Sequence, residues 1–154
     1  MKLVTIADEI MAALGDPTDI SSAAVIFWLQ SNIGSLNNTL LTSYTLSSNG
    51  AEISPELGHD EKDILKTMYF VYYYGKQIQS NLGAAAYDSV QEVSEDGFFV
   101  KKVNKNEVAK TYLSLKRAEM DNLTNLVNGY KLSRSGPAAV YGTDTFTESN
   151  PPPS

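Results

Sequence analysis

Cysteine is absent from this chain, so disulfides and thiolate metal sites are both excluded. Its absence suits a reducing compartment without requiring one. Histidine occurs once, at His59, which leaves little from which to build an imidazole metal site or a histidine base. Positive charge is in deficit. Twelve Lys and Arg face 18 Asp and Glu, for a net charge of −6, whereas a protein that grips nucleic-acid phosphates carries the opposite sign. Long apolar runs are missing as well, and none approaches the roughly 18 residues of a membrane span. The N-terminus meets Asp8 and Glu9 before any long apolar stretch, unlike a secretory signal. The Gly-x-Ser-x-Gly elbow, the phosphate-binding loop and the Gly-x-Gly-x-x-Gly turn do not occur. No internal repeat is found. An enzyme is therefore not expected, and no cofactor is assigned.

What is present is organised around residues 60–127. They read as helix, tight hairpin, helix. The first helix, Glu61–Leu82, carries Asp60, Glu61 and Asp63 at its electropositive start. Ile64, Met68, Val71, Gly75, Ile78 and Leu82 form one stripe at helical spacing. The run Tyr69–Tyr74 favours strand locally, but the spacing on both sides persists, so helix is expected. With aromatics all round, this helix is expected to be the most buried. Gly83 is expected to end it.

Asp96-Gly97 is a two-residue type I′ hairpin signal within Ser89–Val103. The implied register sets Glu95 opposite Phe98, Val93 opposite Val100, Glu92 opposite Lys101 and Val90 opposite Val103. Two valine pairs and one acid–base pair then fall into place together. The last helix is expected over Lys105–Val127, capped by Asn104 or Asn106 and stopped by Asn128-Gly129. Apolar residues on two of its faces predict packing on two sides.

The preceding chain supplies packing partners. A helix is expected over Thr5–Leu14, capped by Thr5 with Asp8 near its start, and closed by Gly15-Asp16-Pro17. A second is expected from Ser22 to about Tyr44, capped by Asp19 or Ser21, with Gly34 as the point where it could kink or split. Thr45–Ser54 reads as a polar turn, and Ser54-Pro55 as the start of a helical turn. The fold class is thus mainly α, a bundle of about four helices with one β-hairpin between the last two. One domain spans 1–132. Residues 133–154 form an extended C-terminal strap, rich in Ser, Gly, Thr and Pro, that cannot bury enough apolar area to fold alone.

Three clusters invite chemistry. His59, Asp60, Glu61 and Asp63 could hold a hard cation or an acid–base pair, but acids at a helix start are ordinary, and neither a metal nor a catalytic residue is assigned. Lys101, Lys102 and Lys105 near Phe98 and Phe99 read as the solvated face of a hairpin. Val140, Tyr141 and Phe146 are spaced anchors in a polar strap. These three, with Phe98 and Phe99 on the hairpin, are the candidate partner-binding residues. Nine tyrosines suit interfaces that stay partly wet.

The pattern resembles the head–tail adaptor (connector, or neck) proteins of tailed bacteriophages. It is carried by Asp19–Leu36 (DISSAAVIFWLQSNIGSL), Asp60–Leu82 (DEKDILKTMYFVYYYGKQIQSNL) and Val103–Lys131 (VNKNEVAKTYLSLKRAEMDNLTNLVNGYK). The resemblance covers most of the chain and rests on overall pattern, with no family motif to transfer. It implies a structural virion protein in the phage neck, present in the host cytoplasm during assembly. It implies a homo-oligomeric ring, typically of twelve copies, below the portal protein. Such a ring extends the DNA channel, lets DNA pass without specific binding, and docks a stopper or tail protein. The strap would grip the portal or a neighbouring subunit. The competing readings are another phage part, such as a tail-completion protein or a small terminase subunit, and a cellular helical regulator. A terminase subunit should carry a basic DNA-binding helical motif, which the acidic N-terminal helices lack.

Overall fold

A computed structural model describes residues 1–87, 92–95, 98–101 and 105–135. The chain is mainly helical. Helix α1 spans Leu3–Ala13, α2 Ser22–Leu40, α3 His59–Tyr87 and α4 Lys105–Arg134. Two short antiparallel ladders complete it: β1 (Thr45–Leu46) with β2 (Ile53–Ser54), and β3 (Glu92–Glu95) with β4 (Phe98–Lys101).

α1 begins two residues earlier than the sequence predicts. Its N-terminus is set by Lys2 in extended conformation, without a side-chain cap, so Thr5 lies inside the helix and is not its cap. The reason is tertiary. Lys2 bridges to Glu52, the Leu3 N–H donates to the Ala51 carbonyl at 3.0 Å, and the Met1 ammonium donates to the Ile53 carbonyl at 3.1 Å. Gly15 and Asp16 then turn the chain at positive φ (77° and 50°), as their sequence suggests.

Ser21 caps α2 by accepting from the Ala24 N–H at 3.2 Å. The helix runs unbroken through Gly34 and stops at Leu40, short of Tyr44. Leu41 adopts a left-handed conformation (φ 57°), a costly state for a branched side chain. The Asn37 amide fixes this stop. Its oxygen accepts from the Tyr44 N–H at 2.8 Å and the Thr42 hydroxyl at 3.0 Å, and its nitrogen donates to the Tyr44 carbonyl at 2.8 Å. The chain then forms a small β-hairpin, β1–β2, where the sequence suggests only a turn. Ser54 belongs to β2, so Ser54-Pro55 does not open a helical turn.

α3 holds the aromatic run in helix and passes through Gly83 to Tyr87. α4 likewise passes Asn128-Gly129 and ends at Arg134. At roughly 1.5 Å per residue both helices reach about 45 Å, against about 28 Å for α2. They lie antiparallel. Glu61 meets Tyr130 and Arg134, and Tyr74 meets Tyr112 at 6.1 Å between ring centroids. α2 is antiparallel to α3, with Asp19 bonded to Gln77 and Trp28 packed against Tyr69 and Tyr72.

The core fills one end of this arrangement. Leu3, Ile6 and Ile10 of α1, Val25, Leu29, Ile33 and Leu36 of α2, and Ile64, Leu65 and Tyr69 of α3 are buried in it, closed by Tyr130 of α4. α3 is not buried on every side, since Tyr72 is 46% exposed. α4 is covered on both of its apolar faces toward its end and less so toward its start. Leu123, Leu126 and Val127, toward its end, pack against the core, whereas Leu113, Leu115 and Met120, nearer its start, are exposed. Past Gln77, where the contact with Asp19 ends, α3 and α4 continue as a two-helix arm.

The arm leads in sequence to β3–β4. Its register pairs Glu92 with Lys101, Val93 with Val100 and Glu95 with Phe98, matching the pairing set by a two-residue turn. Asp96, Gly97, Val90 and Val103 lie outside the described residues. So does the segment after Ser135.

Candidate interaction surfaces

The base of the α3–α4 pair is locked by one carboxylate. Glu61 lies in the first turn of α3, where sequence reasoning places a solvated acid. Instead its side chain is 5% exposed. One oxygen accepts from the Tyr130 hydroxyl at 3.0 Å and from the Arg134 guanidinium at 2.9 Å. Burial pushes this carboxyl's pKa up. Its backbone N–H, the Tyr130 and Tyr44 phenols and the Arg134 charge outweigh burial and hold it below the ordinary value. Burial, followed by the Glu61 charge, pushes the Tyr44 phenol up to about 12. Gly58 makes the arrangement possible, since a Cβ there would collide with Glu61 Oε2. The site ties the start of α3, the end of α4 and the loop after α2 together. It also fixes where the chain leaves at Ser135.

A second cluster joins α1 to α3 at the surface. Glu9 accepts from Lys62 at 3.0 Å and Lys66 at 3.3 Å, and Lys66 also pairs with Asp63 at 2.9 Å. The bond from Lys62 is the largest influence on Glu9 and leads in holding its carboxyl below the ordinary range.

Of the acidic cluster around His59, Glu61 thus turns inward and Asp63 turns to Lys66, so the carboxylates diverge. Among the described residues, no group of three or more His, Asp or Glu is placed to hold a metal ion. No described helix is long and apolar enough to cross a membrane.

Several clefts among the described residues are open at the surface. A groove of about 640 Å³ runs between α2, α3 and α4, lined by Trp28, Met68, Val71, Tyr72, Lys76 and Lys116 among others. The indole of Trp28 packs edge-on to Tyr69 at 5.2 Å and lies 5.5 Å from Tyr72. Burial raises the Tyr69 phenol to about 12. On the arm, Ile78, Leu82, Ala109 and Leu113 line a smaller apolar cleft of about 310 Å³.

The structure places Phe98 and Phe99 on β4, opposite Glu95 and Ser94. Val140, Tyr141 and Phe146 lie outside the described residues. Glu61 and the Trp28 groove are the features that sequence reasoning missed. Only Gly58, three residues before Glu61, hinted at the first. Compared with protein-family models, curated proteins and solved structures, the chain matches none.

Proposed function

We propose that this chain is a structural virion protein, a head–tail adaptor of a tailed bacteriophage that assembles as a ring below the portal. In this role it extends the DNA channel and docks a stopper or tail protein. It works in the phage neck after assembly in the host cytoplasm, and it performs no catalysis. One observation carries the reading: the two-helix arm leading to a β-hairpin, with apolar side chains that a single copy leaves uncovered. Leu82, Leu113, Leu115 and Met120 are 38–50% exposed along α3 and α4, and Leu132 is 71% exposed near the chain's exit. Apolar surface gathered along one pair of helices is what partner subunits cover. The net charge of −6 supports the same role, because an acidic lumen repels DNA and lets it slide.

The test is the mass of the purified protein, with and without residues 133–154, alone and mixed with its candidate portal. A ring near twelve subunits, or portal binding lost on truncation, supports the adaptor. A monomer that ignores the portal refutes it and favours a cellular regulator.

A further inference from the structure

The groove beside Trp28 combines two properties that seldom meet on a free surface. Its floor is aromatic and apolar, from Trp28, Met68 and Tyr72, and its rim is basic, from Lys76 and Lys116. Neither lysine has an ion-pair partner among the described residues. The nearest acid along α4, Glu119, accepts from the Asn122 amide at 3.4 Å. A complementary occupant would bring aromatic anchors and negative charge together.

Residues 136–154 have that composition. They contain Tyr141 and Phe146, the acids Asp144 and Glu148, and no Lys or Arg. Their reach also fits. From Arg134 back to Lys116, α4 covers roughly 27 Å. An extended chain leaving Ser135 spans roughly 20 Å by Tyr141 and roughly 36 Å by Phe146. Tethering makes the encounter intramolecular, at an effective concentration of order millimolar.

We propose that residues 136–154 lie back across the Trp28 groove of their own chain, with Tyr141 and Phe146 against Trp28 and Tyr72 and with Asp144 and Glu148 beside Lys76 and Lys116. This goes beyond the adaptor reading and does not rest on it. A segment held this way is kept from other partners until a competing surface displaces it.

Trp28 is the only tryptophan, so its fluorescence reports on the groove alone. The experiment measures acrylamide quenching of the full chain as wild type, as Asp144→Lys/Glu148→Lys, and as that variant combined with Lys76→Glu/Lys116→Glu. Like charges should expel the segment in the first variant and raise the quenching constant about twofold. The combined charge swap should restore the wild-type value, which a merely unfolded variant would not do. Wild-type quenching should stay constant over about hundredfold dilution, as an intramolecular contact requires. Equal quenching in wild type and Asp144→Lys/Glu148→Lys would overturn the proposal. So would wild-type quenching that rises on dilution, since the occupant would then be a second copy.

Discussion

Replacing Glu61 by glutamine removes one buried negative charge and leaves the side chain's shape. The carboxylate accepts from Tyr130 and Arg134, and the Tyr44 phenol also favours its charged form. Hydrogen bonds to a charged group contribute roughly 1.5–3 kcal/mol each, and neutral ones roughly 0.5–1.5. The glutamine oxygen keeps the neutral share of some of these bonds, while its N–H2 faces donors. Arg134 is 65% exposed, and solvent screening limits its part to below about 1 kcal/mol. The expected loss at neutral pH is about 2 kcal/mol, or roughly 4–8 °C in Tm for a chain of this size. The pH dependence sharpens the test. The folded carboxyl's pKa lies below its ordinary value of 4.5, so in that range the unfolded chain binds more protons. Its stabilisation is therefore complete above the ordinary pKa and is lost as pH falls through the folded one. Urea unfolding of both proteins at pH 7 and at pH 3 should show the gap between them narrowing in acid. A Glu61→Gln protein as stable as wild type at pH 7, or a gap that acid leaves unchanged, would refute the assignment of Glu61 as the latch.

Other perturbations test the latch's neighbours and the core. Gly58→Ala should displace the Glu61 carboxylate and cost about as much as Glu61→Gln. The double variant should fall well short of the sum, since both break one interaction. Gly34→Ala should raise stability by about 0.5–1 kcal/mol in thermal unfolding, because the position is helical and nothing lies within 4 Å of the added methyl. Leu36→Ala, at a fully buried position of α2, should cost about 2–5 kcal/mol by the same assay. Ultraviolet titration of the tyrosines should show a late phase near pH 12 from Tyr44 and Tyr69. Tyr44's share should move to lower pH in Glu61→Gln, where the adjacent charge is gone, while burial still holds the phenol above its ordinary value.

The elements legible in sequence were those whose signal is local and periodic. The stripe from Ile64 to Leu82 outweighs the strand propensity of Tyr69–Tyr74, because a three- and four-residue repeat creates a buriable face only in a helix. The β3–β4 register follows from loop length alone, since a two-residue turn leaves one pairing. Ser21 acts as a cap within three residues of its own chain. Helix ends fared worse. Gly83 and Gly129 stop nothing, because the antiparallel partner helix supports the backbone that an isolated glycine would loosen. α2 ends early because Asn37 captures Tyr44 seven residues on, and α1 starts early because Lys2 is held by Glu52. Glu61 was legible only as a charge at a helix start. Whether such a charge points to water or inward depends on Tyr44, Tyr130 and Arg134 arriving from elsewhere in the chain. The sequence by itself determined the helical class, the order of the elements and the hairpin pairing, because each is a property of neighbouring residues. The latch at Glu61, the groove beside Trp28 and the exposed apolar residues of α4 were decided by tertiary structure alone, because each depends on residues that only packing brings together.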